Sequence, residues 1–150
     1  MEELKAVPAS ETLMTTRRVV MPNMLNGNGI VFGGALLSIY DECAGLSALA
    51  LTHDKVATVA IEKVTFKRPI FSGETIVVKS RVVYTGHTSL VVWLDAEVEK
   101  LGVSQGCAGS AVFHFVGIDE SGQSKEVPQL IPETEEDKQI WAEVEKERKR

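Results

Sequence analysis

Two acidic side chains, Asp41 and Glu42, interrupt the apolar stretch NGNGIVFGGALLSIYDECAGLSALAL that runs from Asn26 to Leu51. A carboxylate placed between Leu36, Leu37, Ile39 and Tyr40 on one side and Cys43, Ala44 and Leu46 on the other must be paired, protonated or functional. Its chemistry would be that of a general base or a nucleophile. The structural reading is that Asp41 and Glu42 reach a solvent channel or a salt bridge at a subunit contact. Gly33 and Gly34 stand where a helix through this stretch would begin, and the first N–H groups of a helix have no partner within it. Lacking Cβ atoms, the two glycines let a carbonyl oxygen approach those N–H groups, which would make an oxyanion site. Tight packing of the helix start explains the pair equally well.

The spacing adds a constraint. Asp41 follows Gly33 by eight residues, roughly 12 Å along a helix at about 1.5 Å per residue. A base and an oxyanion donor that serve one carbonyl each lie about 3 Å from the reacting atoms, so one helix does not supply both. Two antiparallel copies could: if Gly33 of one subunit faces Asp41 of another, the catalytic unit is a dimer with two symmetric sites.

The elements that must hold these residues follow from periodicity. A first strand is expected around Thr12 to Val20, then the helix from about Gly34 to Leu51. Val56 to Phe66 is β-branched and ends at Lys67-Arg68-Pro69. In Glu74 to Tyr84, Ile76, Val78, Ser80, Val82 and Tyr84 share one face, with Lys79 and Arg81 on the other. A hairpin at Thr85-Gly86-His87 leads into the alternating Leu90, Val92, Leu94, Ala96 and Val98. A last strand covers about Gln105 to Ile118. Strands joined by short turns argue for an antiparallel meander, and a helix apolar on nearly all sides must be covered on nearly all sides. The expected fold is α+β, a curved antiparallel sheet wrapped round one long helix. Residues 1–132 are expected to form one domain. Residues 133–150 are expected to form a charged C-terminal helix, started by Pro132 and Thr134 and docked through Ile140, Trp141 and Val144.

Composition excludes several classes. With 16 Lys and Arg against 21 Asp and Glu, a net charge of −5, the chain has no nucleic-acid footprint. Cys43 and Cys107 lack zinc or redox-pair spacing, so a reducing cytoplasm is the expected compartment. The N-terminus has no apolar signal core. Ala35 to Leu51 is at the short end for a membrane span, and its two acids favour burial in protein over lipid. His87 and His114 have no acidic neighbour at triad or metal-ligand spacing, are read as structural, and no metal is expected.

The pattern N-x-x-G-x-x-F-G-G-x-x-L-S-x-x-D-E, carried by Asn26, Gly29, Phe32, Gly33, Gly34, Leu37, Ser38, Asp41 and Glu42, resembles the acyl-CoA hydrolase branch of hotdog-fold thioesterases. That branch includes the bacterial short acyl-CoA thioesterases and the double-hotdog brain-type acyl-CoA hydrolase. TVAIEKVTFKRPIFSGE from Thr58, YTGHTSLVVWLDAEVE from Tyr84 and FVGIDESGQSKEVPQLIPETEED from Phe115 extend the similarity over about residues 10 to 145. The resemblance implies a hotdog fold and hydrolysis of acyl-CoA to free acid and coenzyme A. It implies no metal or redox cofactor, coenzyme A being part of the substrate, and a homo-oligomer built as a trimer of dimers. It puts the catalytic acid on Asp41 and a partner amide on Asn26, acting from opposite subunits. One departure is Met24, where the family usually has Asp.

The same resemblance implies that the pantetheine arm pairs with strand backbone near Thr58 to Glu62. Lys67 and Arg68, or Arg81, are candidates for the coenzyme A phosphates, and Gly86, Thr88 and Ser89 for its nucleotide. Each also reads as a solvated charge or an ordinary turn. Tyr40, Ala44, Gly45 and Ala48 are candidate acyl-tunnel residues. Two other readings compete: a non-catalytic acyl-CoA-binding sensor and a hotdog dehydratase. Known sensors carry a DNA-binding segment, for which too few residues precede the first strand. A dehydratase needs a histidine paired with an acid near the helix, and none precedes Asp41.

Overall fold

The computed structural model describes residues 4–149, so the extreme ends of the two expected segments, residues 1–3 and 150, lie outside it. A short strand β1 (Val7–Pro8) leads through a 3-10 turn to β2 (Met14–Val19). The helix α1 (Gly33–Thr52) is followed by β3 (Val56–Phe66), β4 (Thr75–Thr85), β5 (Ser89–Lys100) and β6 (Val103–Ile118). Short strands β7 (Ser124–Lys125) and β8 (Leu130–Ile131) precede the helix α2 (Glu135–Arg148).

The main sheet is antiparallel in the order β2-β4-β5-β6-β3, with β7 added to β6, while β1 and β8 form a separate parallel pair. The α+β hotdog arrangement is present, but the meander expected for the last four strands is not. Only β4, β5 and β6 follow one another; β3 leaves the series and takes the far edge beside β6. The link over residues 67–74 contains Pro69 and is too long for a hairpin. It is held instead under the start of α1, where Val31 N–H donates to the Ile70 carbonyl (2.8 Å) and Ile70 is buried. That crossing fixes the helix start against the sheet.

Strand periodicity works on β5, where Leu90, Val92, Leu94, Ala96 and Val98 all enter the core. They meet Ile76, Val78 and Val82 of β4 and Phe113 and Phe115 of β6. On β4 the alternation fails at one place. A register shift between Val82 and Tyr84 turns Tyr84 to the outer face, where its ring lies 4.5 Å from Trp141. A bulge inserts one residue and so exchanges the faces beyond it.

The outer face carries α2. Thr134 caps it by accepting the Asp137 N–H at 3.0 Å, and Ile140 and Val144 are buried on Val83, Val91 and Val112. This is the docked surface helix expected from its narrow apolar stripe.

The expectation that the sheet covers α1 on nearly all sides is corrected. Leu36, Ile39, Tyr40, Cys43, Ala44, Ala48 and Leu51 face the sheet and are buried. The opposite side is open: Leu46 is 46% and Leu49 44% exposed, and on β3 Val59 is 57% and Phe66, near the helix start, 50% exposed. By length and composition α1 is also apolar enough to cross a membrane, yet one full face of it is packed on the sheet.

Tyr40 is wholly buried and its hydroxyl finds no partner among the described residues. It lies over Gly109, where a Cβ would collide with it and with the Thr65 carbonyl. Burial, with Cys107 and Asp95 nearby, pushes the phenol up to about 12, so it stays neutral. An unpartnered buried hydroxyl costs about 1–3 kcal/mol of desolvation. Tyr40→Phe is therefore expected to leave the denaturation midpoint unchanged or raised; a loss above about 1 kcal/mol would reveal a partner in the folded protein.

Candidate active site

Helical rotation separates the residues that the sequence places side by side. Asp41, Gly45 and Leu49 recur at i, i+4 and i+8 and so share one face. That face is the open one, and the Asp41 carboxylate is exposed on it. The apolar neighbours that made Asp41 look enclosed, such as Tyr40 and Cys43, point to the sheet. Thr58 Oγ1 donates to Asp41 Oδ1 at 2.9 Å and holds its rotamer. Glu42 is paired with Arg18 at 2.6 Å in an exposed contact, so the salt-bridge reading holds for Glu42 while Asp41 has no cationic partner among the described residues. Asp41 and Thr58 line a cleft with Gly45, Leu46, Leu49, Lys55, Val56, Phe115 and Ile118.

At the other end, α1 begins without a side-chain cap because Phe32 occupies the cap position. The Ala35 and Leu36 N–H groups turn back to the Phe32 carbonyl, at 3.0 and 3.2 Å. The Gly33 and Gly34 N–H groups have no acceptor among the described residues, and both glycines are exposed. A serine or aspartate cap would accept from the N–H of Gly34 or Ala35; phenylalanine leaves the Gly34 N–H available. A Cβ on Gly33 would stand 3.2 Å from the Phe66 ring, and one on Gly34 3.2 Å from the Phe32 ring. Gly33 lines a second cleft with Phe66, Lys67, Arg68 and Ile70, which shares no residue with the first. Asp41 and Gly33 thus line separate clefts of one chain, while Gly34 and Asn26 line neither.

Asn26 sits in the exposed loop before the helix. Its Oδ1 accepts from the N–H groups of Asn28 (2.8 Å) and Ile30 (3.3 Å), while its own N–H donates to the Ile30 carbonyl (2.8 Å). The side-chain oxygen is used to shape the loop, and Nδ2 is the donor left over among the described residues. Met24 is half-buried against the core, and its sulfur takes the Met21 N–H at 3.4 Å. An acidic side chain three residues into a turn commonly accepts that kind of bond; here the Met24 thioether accepts it.

The remaining candidates divide. Lys67 and Arg68 reach the Gly33 cleft, with Arg68 Nη1 also donating to the Gln105 carbonyl. Arg81 does not reach either cleft: it lies on the outer sheet face and binds Asp137 (3.0 Å) and Glu136 (3.4 Å) of α2. The hairpin residues Gly86, Thr88 and Ser89 also line neither cleft. Gly86 N–H and carbonyl bind Ser89 and Gln129, the Thr88 carbonyl accepts from Gly117, and Ser89 Oγ accepts from Arg148 at 2.8 Å. Of the acyl-tunnel candidates, Tyr40, Ala44 and Ala48 belong to the core and Gly45 alone faces the Asp41 cleft. His114 pairs with Glu62 across two strands at 2.9 Å. Lys55 lines the Asp41 cleft and Phe66 the Gly33 cleft; Lys55 has no sequence signal, whereas the aromatic Phe66 just before Lys67-Arg68-Pro69 marks where β3 returns to the helix start.

The sequence pattern of the thioesterase superfamily matches residues 28–105. The acyl-CoA thioester hydrolase YciA of Escherichia coli is 32% identical over 126 residues, covering 81% of this chain and 94% of that protein. A crystal structure of an apo-hexameric acyl-CoA thioesterase superposes with a TM-score of 0.90 at 29% identity, over 97% of this chain and 94% of that one. An acyl-CoA hydrolase from Staphylococcus aureus, solved with butyryl coenzyme A, coenzyme A and coenzyme A disulfide, gives 0.82 at 27% identity, over 95% and 91%. That enzyme has also been solved with an aspartate, an asparagine and a threonine each changed to alanine.

Proposed function

Because the chain belongs to the thioesterase superfamily, we propose that it hydrolyses acyl-CoA thioesters in sites shared between two antiparallel copies. Asp41 of one copy is the reacting carboxylate. Asn26 Nδ2 and the Gly33 and Gly34 N–H groups of the other copy hold the thioester carbonyl.

The observation that carries this reading is the separation of the two half-sites. Asp41 and Gly33 are both exposed, roughly 12 Å apart along α1, in clefts with no residue in common, with Gly34 next to Gly33. An antiparallel second copy against α1 brings each donor pair to the other chain's carboxylate. The exposed Leu46, Leu49, Val59 and Phe66 give such a contact an apolar surface. Two further features support it. The three positions altered in the Staphylococcus aureus enzyme stand at the same mutual spacing as Asn26, Asp41 and Thr58. Relatives of this fold are described as hexameric, which agrees with a trimer of such dimers.

In the reaction, water adds to the carbonyl carbon while Asp41 takes its proton, and the C–S bond then breaks. The proton passes to the departing thiolate, giving free acid and coenzyme A. Direct attack by Asp41 would form a tetrahedral oxyanion of its own, which expels the coenzyme A thiolate to leave a mixed anhydride; water then cleaves the anhydride to the free acid, restores the carboxylate and supplies the thiolate's proton. In either route the oxyanion forms against N–H donors that need no reorganisation. Thr58 keeps Oδ1 of Asp41 in place. The edge of β3 near Thr58 to Glu62 offers backbone groups to the pantetheine amides, and Lys67 and Arg68 offer charge to the phosphates.

The test is thiol release from esters between acetyl- and palmitoyl-CoA, with the acid product quantified. Equimolar thiol and acid from at least one ester is expected; no release from any of them would overturn the reading.

A further inference from the structure

Gly45 is a glycine that the fold does not ask for. It lies inside α1 without a positive φ, and a Cβ added there meets nothing within 4 Å. Alanine is the better helix former, so neither backbone conformation nor packing within the chain explains the residue. The space it leaves opens on the Asp41 cleft, one helical turn from the carboxylate.

Most of that cleft's lining is apolar: Gly45, Leu46 and Leu49 come from the helix and Val56, Phe115 and Ile118 from the sheet, while Asp41, Glu42, Lys55 and Thr58 are its polar residues. The cleft at the helix start is basic, with Lys67 and Arg68. A thioester carbonyl has two arms of opposite character, an alkyl chain and a polyanionic coenzyme. Glu42 is paired with Arg18, so Asp41 is the carboxylate left to repel the phosphates, against one lysine here and two cations in the second cleft; the apolar wall residues of the first cleft offer an alkyl chain contact.

We propose that the acyl chain leaves the reaction centre along the Gly45–Leu49 face of α1, and that the missing side chain at position 45 sets the chain length accepted. The proposal rests on Asp41 being the reacting carboxylate. A second copy lies over the same helix side, so the competing occupant of this space is a side chain of that copy.

The experiment compares the full-length wild type with Gly45→Ala and Gly45→Leu on acetyl-, butyryl-, octanoyl- and palmitoyl-CoA, following thiol release, with the oligomer mass measured for each. One methylene in an apolar pocket changes kcat/KM by roughly 10- to 200-fold. The ratio of kcat/KM for palmitoyl- to butyryl-CoA is expected to fall by about tenfold or more in Gly45→Leu, with Gly45→Ala in between. An equal loss on every ester, with or without loss of assembly, assigns the space to the second copy and overturns the proposal. So does an unchanged chain-length profile. Should Gly45→Leu not fold, the ratio in Gly45→Ala decides alone. A wild type that cleaves no ester removes the thioesterase reading itself, and is told apart by needing no variant.

Discussion

Asp41→Asn is expected to lower kcat by about 10²- to 10⁴-fold, the range for loss of a positioned acid–base group, while the dissociation constant for acyl-CoA changes little. The substitution keeps the size of the side chain and an oxygen able to accept the Thr58 Oγ1 bond seen at 2.9 Å. It removes only the capacity to take a proton or to attack carbon. Because Asp41 is exposed and has no cationic partner among the described residues, loss of its charge leaves no buried ion behind, and the fold should not weaken. Single-turnover thiol release and equilibrium binding of a non-hydrolysable acyl-CoA analogue separate the two effects. Normal turnover by the variant would sink the assignment.

Asn26→Ala is expected to lower kcat by about 10²- to 10³-fold, as removal of a single oxyanion donor does elsewhere. Two roles are mixed in that number, since Oδ1 also accepts from Asn28 and Ile30 and shapes the loop. Asn26→Asp separates them: a carboxylate keeps both acceptor bonds but has no Nδ2 donor. If the amide acts on the substrate, the two variants lose comparable activity. If the loop shape alone matters, Asn26→Asp retains most of it. Measuring kcat and KM for both distinguishes the cases.

What was readable in the chain depended on the range of the interaction. The faces of β5 and the limits of α1 are local patterns, and they are found as read. Strand neighbours are not local, because a period of two gives the face of a strand but not its partner. The placement of β3 at the far edge therefore came only with the structure. Tyr84 was assigned to the wrong face because a bulge leaves no mark in the alternation before it. Asp41 reads as enclosed by its sequence neighbours, whereas a helix turns those neighbours to the opposite side. Arg81 looked free because its partners, Glu136 and Asp137, lie more than fifty residues downstream. The distance between Gly33 and Asp41 follows from helix rise alone, and the two residues line separate clefts.

The central claim is that each site draws on two chains, and mixing two inactive variants tests it directly. Asp41→Asn and Asn26→Ala proteins, each purified, would be unfolded and refolded together so that subunits exchange, with exchange verified by mass. In a mixed dimer one site collects both defects and the other keeps wild-type Asp41 and Asn26. Random mixing makes half of the dimers mixed, so activity near one quarter of the wild-type value is expected to return. Proven exchange with activity no higher than that of the separate variants would contradict the account.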